Sequence, residues 1–434
     1  MIAFSLITWV DDNTMKKKEI VLSLREPYSS QKGYGICKID AEGYKTAWFV
    51  IPPPPPKPSE IQYLPKIRSL SRIIRRAYSI YSTKLSKIND SPFNQAFDSF
   101  LERREAISSS RIEKDISPDD GILIHEKIYH EQDNKNENQV IYGYSSALAY
   151  GVSTISKEGM KAININLIKK LHEIMMVSNP SSAEIGGYIR KNISRDIVQI
   201  GGTRINNSIY NPAPPLYVEK CLVDLIGCMN DYDIPKDTIL PFIAIWHAHF
   251  EAIHPFISGN GRIGRILLQL QMMVPGRNPI YLSSYIKEHR YDYYAALESA
   301  QKKRNYIPII DFLCQAIIAS YEEDAITKGV IEDLLQDWLV RGRLRKNASA
   351  EKALYMLISS PVITTELLSE KLGVSFQAAS VAIKQLEESR IIRKVIGDKR
   401  SRVFIVEEIR CLSARRFGES PSVSLKEARK ILGI

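Results

Sequence analysis

The sequence predicts a mainly α protein: a helical core set between a short β-containing N-terminal segment and a smaller C-terminal α+β module. Three observations predict this. Residues 1 to about 50 alternate apolar and polar like short strands, and helical spacing dominates from about Ile67 to Glu322. From Ser360, two short helical patterns precede a hairpin pattern that turns at Gly397 and Asp398.

The opening MIAFSLITWV is apolar, but it is ten residues long and lacks a basic flank, so it reads as a buried strand and not as a leader or a membrane span. Pro52 to Pro56, with Pro58, form a stiff polyproline connector that closes the N-terminal segment, residues 1–58. A helical part follows over residues 59–150, then the core over 151–335. The charged stretch VRGRLRKNASAEK, from Val340, links the core to the module at 345–408, and residues 409–434 make a separate small tail. Within the core, PFIAIWHAHFEAIHPF from Pro241 reads as a buried helix, started by its proline and stopped near Pro255. Ile263, Ile266, Leu267 and Leu270 then fall at i, i+3, i+4, i+7, the stripe of a second core-facing helix.

Of the 434 residues, 44% are hydrophobic and 25% charged, which is ordinary soluble material and long enough for more than one domain. Five cysteines (Cys37, Cys221, Cys228, Cys314, Cys411) form no CxxC pair, which argues for the reducing cytoplasm and against a disulfide framework. A net charge of +10 favours polyanionic partners, and no run is long enough to span a membrane.

Between the two core helices lies HPFISGNGRIGR, His254 to Arg265. Gly259, Asn260 and Gly261 can take positive φ and leave backbone N–H groups unobstructed, which makes an anion nest at a helix N-terminus. Arg262 and Arg265 are three residues apart and can fork onto further phosphate oxygens. A neutral imidazole at His254 can take a proton from an attacking hydroxyl. A Gly-Asn-Gly turn by itself is usually only a loop, so the weight rests on the twelve-residue combination. His247, Glu251 and His254 also share a helical face at i, i+4, i+7 and could pass for metal ligands. No HExxH is present, however, and a structural histidine is the commoner fate, so no metal ligand is assigned. His172, in LIKKLHEIMM, reads as helix packing.

The stretch resembles the Fic (filamentation induced by cAMP) family, whose signature is HPFx(D/E)GNGRxxR and whose usual reaction moves AMP from ATP to a protein hydroxyl. HAHFEAI, SRDIVQIGG, YNPAPP, YLSSYIKEHRYDYYAAL and LERREAISSSRIEK resemble other segments of that family. The resemblance implies a Fic-type helical core with His254 as general base and Phe256 as anchor of the turn. It puts Gly259, Asn260, Gly261, Arg262, Gly264 and Arg265 on the phosphates of ATP, with Ser258 beside them. Gln199 to Tyr210, including Gly201, Gly202 and Thr203, resembles the family's β-hairpin flap, which lays a target segment beside the nucleotide by strand addition. Tyr293 and Tyr294 fall where the family contacts the base, although an aromatic pair on a helix is more often core packing; His249 lies near the pocket by analogy.

Two departures from the family pattern matter. Ser258 stands where the family has Asp or Glu to hold Mg²⁺, and a neutral hydroxyl is a poor ligand for Mg²⁺ or Mn²⁺, though it can cap a helix as Asp does. Ser109 to Glu113 fits the inhibitory (S/T)xxxE(G/N) motif, except that Lys114 replaces Gly or Asn. The resemblance implies that Glu113 pairs with Arg265 and blocks the γ-phosphate.

The C-terminal module resembles a winged helix-turn-helix. Six of the thirteen residues from Arg390 to Arg402 are Lys or Arg, which makes Arg393, Lys399 and Arg400, with Gln377, Ser375 and Ser380 on the second helix, candidate DNA contacts. Winged helices also serve as dimerisation or docking modules. Three functions therefore stay open: ATP-dependent AMP transfer to Ser, Thr or Tyr of a target protein, held off by Glu113; a DNA-binding regulator that senses nucleotide without efficient transfer; and transfer of another phosphate-linked group. The partners these imply are the target protein, DNA and a second copy of the chain as a homodimer.

Overall fold

The computed structural model describes residues 6–8, 19–23, 35–41, 44–86, 91–112, 135–177, 185–192, 195–201, 208–230, 234–273, 279–346, 348–396 and 402–434. It is mainly helical with two small antiparallel sheets, and its contacts divide into two units. The first comprises Met1–Leu85, Ser146–Ile280 and His289–Ile317; the second comprises Ser86–Ser145, Tyr281–Glu288 and Ile318–Ile434.

The first unit opens on a four-stranded sheet in the order β1 (Leu6–Thr8), β2 (Glu19–Ser23), β3 (Gly35–Ala41), β4 (Tyr44–Ile51), with Ile36 opposite Val50. The polyproline run that follows is docked, which the connector reading did not foresee. Pro52, Pro55 and Pro58 are buried at a spacing of three, matching the roughly three residues per turn of a polyproline helix. One edge of the run therefore packs while the other stays wet. Cys221 and Cys228 direct their thiols at the Pro52 and Pro55 carbonyls from the helix Pro215–Gly227.

Every residue of the helix Ile239–Ile253 from Leu240 on is buried, as expected for a helix that is apolar on nearly all sides. Trp246 donates from its indole N–H to the Leu225 carbonyl at 3.1 Å, which satisfies the polar atom of a fully buried side chain. Beside it lies the helix Asn260–Gln271, with Ile263, Ile266, Leu267 and Leu270 at zero exposure on the predicted stripe. A third helix, Ile165–Val177, buries Ile168, Leu171, His172 and Met175.

In the second unit the helix Pro92–Ile112 shares one hydrophobic core with the C-terminal module. Phe97, Phe100 and Leu101 pack in a cluster with Trp338, Leu354, Leu386, Phe404 and Leu412. Buried charges are matched throughout. Glu105 accepts from the Tyr144 hydroxyl at 2.9 Å and from the Ser283 backbone at 2.8 Å, and Glu323 takes Arg104 at 3.2 Å and Arg415 at 2.5 Å. The module has the helices Ser349–Ser359, Thr365–Leu372 and Phe376–Glu388, and a three-stranded sheet ordered β5 (Val362–Ile363), β7 (Val403–Ile405), β6 (Arg393–Ile396). Thr364 and Ser375 cap the second and third of these helices through their hydroxyls, so Ser375 is spent locally. Residues 409–434, expected as a separate tail, include most of the helix Glu407–Ala414 and all of Pro421–Leu432. They are tied in where Arg429 pairs at 3.5 Å with Glu408, which accepts from the Trp338 indole at 2.6 Å and from Arg341 at 2.8 Å.

Candidate anion-binding site

His254 is the C-cap of the histidine-rich helix and sits in the left-handed region at φ 53°, ψ 63°. Such a φ is uncommon outside glycine, and it turns the chain sharply out of the helix at the residue expected to act as base. Phe256 and Asn260 then lock the turn: the Phe256 N–H donates to Asn260 Oδ1 at 2.8 Å, and Asn260 Nδ2 donates to the Phe256 carbonyl at 2.8 Å. Gly259 has φ 79° and is the N-cap of the next helix, which carries no side-chain cap. The first-turn N–H groups of a helix have no intrahelical acceptor, and a helix start of this kind suits an anion.

Two expectations change here. Of the three nest residues only Gly259 adopts positive φ; Asn260 and Gly261 are already helical, with the Asn260 amide closing the turn from inside. Ser258 does not cap the helix, because the cap position falls one residue later. Gly259 is also needed for space: a Cβ there would come within 2.7 Å of Met175 Cε and 3.6 Å of His172 Nε2.

Two residues brace this loop: His172, expected only to pack its helix, and Arg190, which the sequence reading passed over. His172 Nε2 lies 3.0 Å from the Ser258 carbonyl, Nδ1 accepts the Gly187 N–H at 2.9 Å, and the ring stacks on Phe256 with centroids 3.8 Å apart. Both partners demand the neutral Nε2–H tautomer. Burial, partly offset by the Ser258 bond and reinforced by the Arg262 charge, pushes its pKa down to about 4. Arg190, 1% exposed, donates to the carbonyls of His254 at 2.8 Å, Ala213 at 2.8 Å, Ile253 at 3.1 Å and Asp196 at 3.2 Å, while its backbone N–H donates to the Pro255 carbonyl at 2.9 Å. It satisfies carbonyls that the end of the helix leaves open and holds the His254 backbone from behind. Burial lowers its pKa to about 10 against the pull of Asp196, which still leaves it charged at neutral pH.

Arg262 is half-buried and Arg265 is 2% exposed. Burial first, and the Arg265 charge second, drive His247 down to about 3, so Arg265 belongs to the packed zone between the two helices. Gly264 is required there, since a Cβ on it would meet Glu251 Oε1 at 2.0 Å. His247 bonds the Tyr293 hydroxyl at 2.7 Å, and Tyr293 is 2% exposed. Tyr294 is 42% exposed and lies against Tyr293 at 5.5 Å. His249 bonds the Tyr306 hydroxyl at 3.0 Å and, with Tyr210, lines a small cavity against Pro52 and Pro53.

The base of the expected flap is paired, Ile200 with Tyr210 in an antiparallel bridge, and Val50 of β4 donates to the Asn211 carbonyl at 3.0 Å. Gly201 has φ 66° at the departure of the hairpin, whereas Gly202 and Thr203 lie outside the described residues. Ser109 is fully buried within the second unit; Glu113 lies outside the described residues. Gln377 is exposed. Arg393 pairs with the buried carboxylate of Glu407, which also holds Arg410 at 2.6 Å. Lys399 and Arg400 lie outside the described residues.

The residues present do not fit Mg²⁺ or Mn²⁺. Ser258 offers one exposed neutral hydroxyl, its carbonyl is engaged by His172, and no group of three or more His, Cys, Asp or Glu able to hold a metal occurs among the described residues. No helix among them is long and apolar enough to cross a membrane.

An imidazole at a turned-out helix end is thus followed within a few residues by a helix start with no side-chain cap. The Fic/DOC family model matches residues 162–272, so the chain carries a Fic/DOC domain over this site. It is 32% identical over 167 residues to protein adenylyltransferase fic-1 of Caenorhabditis briggsae, covering 38% of this chain and 29% of that protein. It is also 32% identical over 96 residues to a probable protein adenylyltransferase of Aquifex aeolicus, covering 21% of this chain and 27% of that one. The chain thus spans less than a third of the length of these relatives. A solved structure of Fic-1 from C. elegans matches with TM-score 0.47 at 21% identity, over 61% of this chain and 74% of that one.

Proposed function

We propose that the chain transfers AMP from ATP to a Ser, Thr or Tyr hydroxyl of a target protein. The observation that carries this reading is the uncapped start of the helix Asn260–Gln271 immediately after His254, inside the segment that matches the Fic/DOC model. The N–H groups of the first turn, with Arg262 and Arg265, hold the phosphates. His254 takes the proton of the acceptor hydroxyl as its oxygen bonds the α-phosphorus, and the α–β bridging P–O bond breaks so that pyrophosphate leaves with the electron pair. The flap, whose base is set by Ile200 and Tyr210, lays the target strand alongside.

Glu113 restrains the reaction by competing for Arg265. The helix that leads to it, Pro92–Ile112, is anchored in the core of the C-terminal module, so the inhibitory segment depends on that module for its footing. Glu113→Gly is expected to tighten ATP binding at least tenfold in calorimetry and to allow label transfer from α-labelled ATP to protein. Equal ATP affinity in the two forms would remove the autoinhibitory role, and tight binding without transfer would favour a nucleotide sensor.

A second reading is a DNA-binding regulator, favoured by the order of the C-terminal module: three helices and a β5-β7-β6 sheet, as in a winged helix-turn-helix, with Gln377 exposed on the third helix and basic residues in the hairpin. Work in the cytoplasm and pairing with a second copy accord with either reading.

A further inference from the structure

At the far end of the signature helix, about 18 Å from its anion-binding start by a rise of about 1.5 Å over its 12 residues, lies a cavity of about 600 Å³ within the first unit. Its wall is apolar, with Met160, Ile163, Phe242 and Ile243 among the lining side chains. Gly159 turns at its edge with φ 73°, and a Cβ there would meet nothing within 4 Å. Glu158 and Lys161 line its exposed edge, and one buried polar group breaks the apolar wall inside. Gln271, the last residue of the helix, is 5% exposed, and its amide nitrogen reaches only the Met229 sulfur, at 3.9 Å. Its Oε1 is buried without a hydrogen-bond partner among the described residues.

A thioether accepts hydrogen bonds weakly and cannot donate, so the amide turns its N–H₂ to Met229 and its oxygen away from it. An acceptor buried in apolar surroundings is destabilising unless a donor reaches it. A volume in the range of small-molecule sites, an apolar lining and one convergent polar atom describe a ligand pocket. We propose that this cavity binds a small, largely apolar molecule that presents one N–H or O–H donor to Gln271. The site is separate from the anion site and does not depend on the transferase reading.

The test uses the full-length protein and two bicyclic probes of nearly equal size, indole with one N–H donor and benzothiophene with none, titrated by ligand-observed NMR. Indole is expected to bind saturably and at least tenfold more tightly than benzothiophene. Gln271→Met is expected to bring the two probes to within twofold of each other, and Met160→Trp, which fills the cavity from its edge, to weaken both at least tenfold. Should Gln271→Met fail to fold, the Met160→Trp titration and the wild-type ratio decide. Equal affinities in the wild type, no saturation by indole at millimolar concentration, or indole binding untouched by Met160→Trp would each overturn the proposal.

Discussion

Replacing His172 by Phe keeps a flat ring against Phe256 and removes both hydrogen bonds, which isolates what the imidazole does for the signature loop. The Gly187 N–H, in a buried residue, loses its acceptor; this costs the larger share of the roughly 1–3 kcal/mol expected for each stranded group. Ser258 is exposed, so water can reach its carbonyl and that loss is the smaller. Together they come to about 3 kcal/mol at pH 7.5. The pH dependence provides an independent figure. The folded pKa of about 4 lies below the ordinary 6.5, so the unfolded chain binds the extra proton. The His172 contribution is therefore complete above about pH 6.5 and is lost as pH falls towards 4. At about 1.4 kcal/mol per unit this again amounts to about 3 kcal/mol. Urea unfolding of wild type and His172→Phe across pH 4 to 7.5, followed by a probe in the first unit, should show a gap that closes towards pH 4. A gap below about 0.5 kcal/mol at pH 7.5, or one that does not change with pH, would refute the reasoning.

Arg190→Met should leave the fold largely intact while freeing the His254 backbone; kcat is expected to fall on the order of 10²-fold with a smaller change in KM for ATP, and a fall in KM affinity alone would contradict a positioning role. Ser258→Asp restores a carboxylate at the loop, so nucleotide binding should gain a dependence on Mn²⁺ or Mg²⁺ that the wild type lacks; calorimetry with and without metal checks this. Neutralising Lys399 and Arg400 should reduce the salt dependence of binding to duplex DNA by about two phosphate contacts, whereas Arg393→Ala should leave the slope unchanged because Glu407 already holds that guanidinium. A slope reduced by about one in Arg393→Ala would reopen that residue as a phosphate contact.

The parts legible from sequence were those with a local signature. The stripe Ile263, Ile266, Leu267, Leu270 announced a core-facing helix, and the glycine at 259 announced a turn that only it can make. The braces were not legible, because their partners are distant along the chain. Arg190 reaches carbonyls at 253 and 254, and His172 reaches 187 and 258, so neither makes a motif; the one signal was a lone histidine on an otherwise apolar helix face, which ordinary packing explains as well. The partners of His249, Tyr293 and Arg393 were hidden for the same reason, since Tyr306, His247 and Glu407 lie elsewhere along the chain. The docked polyproline run was missed because its period of three shows only once a helix lies along one edge.

The central claim is that His254 serves transfer of the α-phosphate. The most direct measurement compares protein-bound label from α-labelled and γ-labelled ATP in the Glu113→Gly protein, with and without the added change His254→Ala. The account predicts label from the α position alone, lost when His254 is replaced. Label retained from the γ position, or α label that survives His254→Ala undiminished, would contradict it.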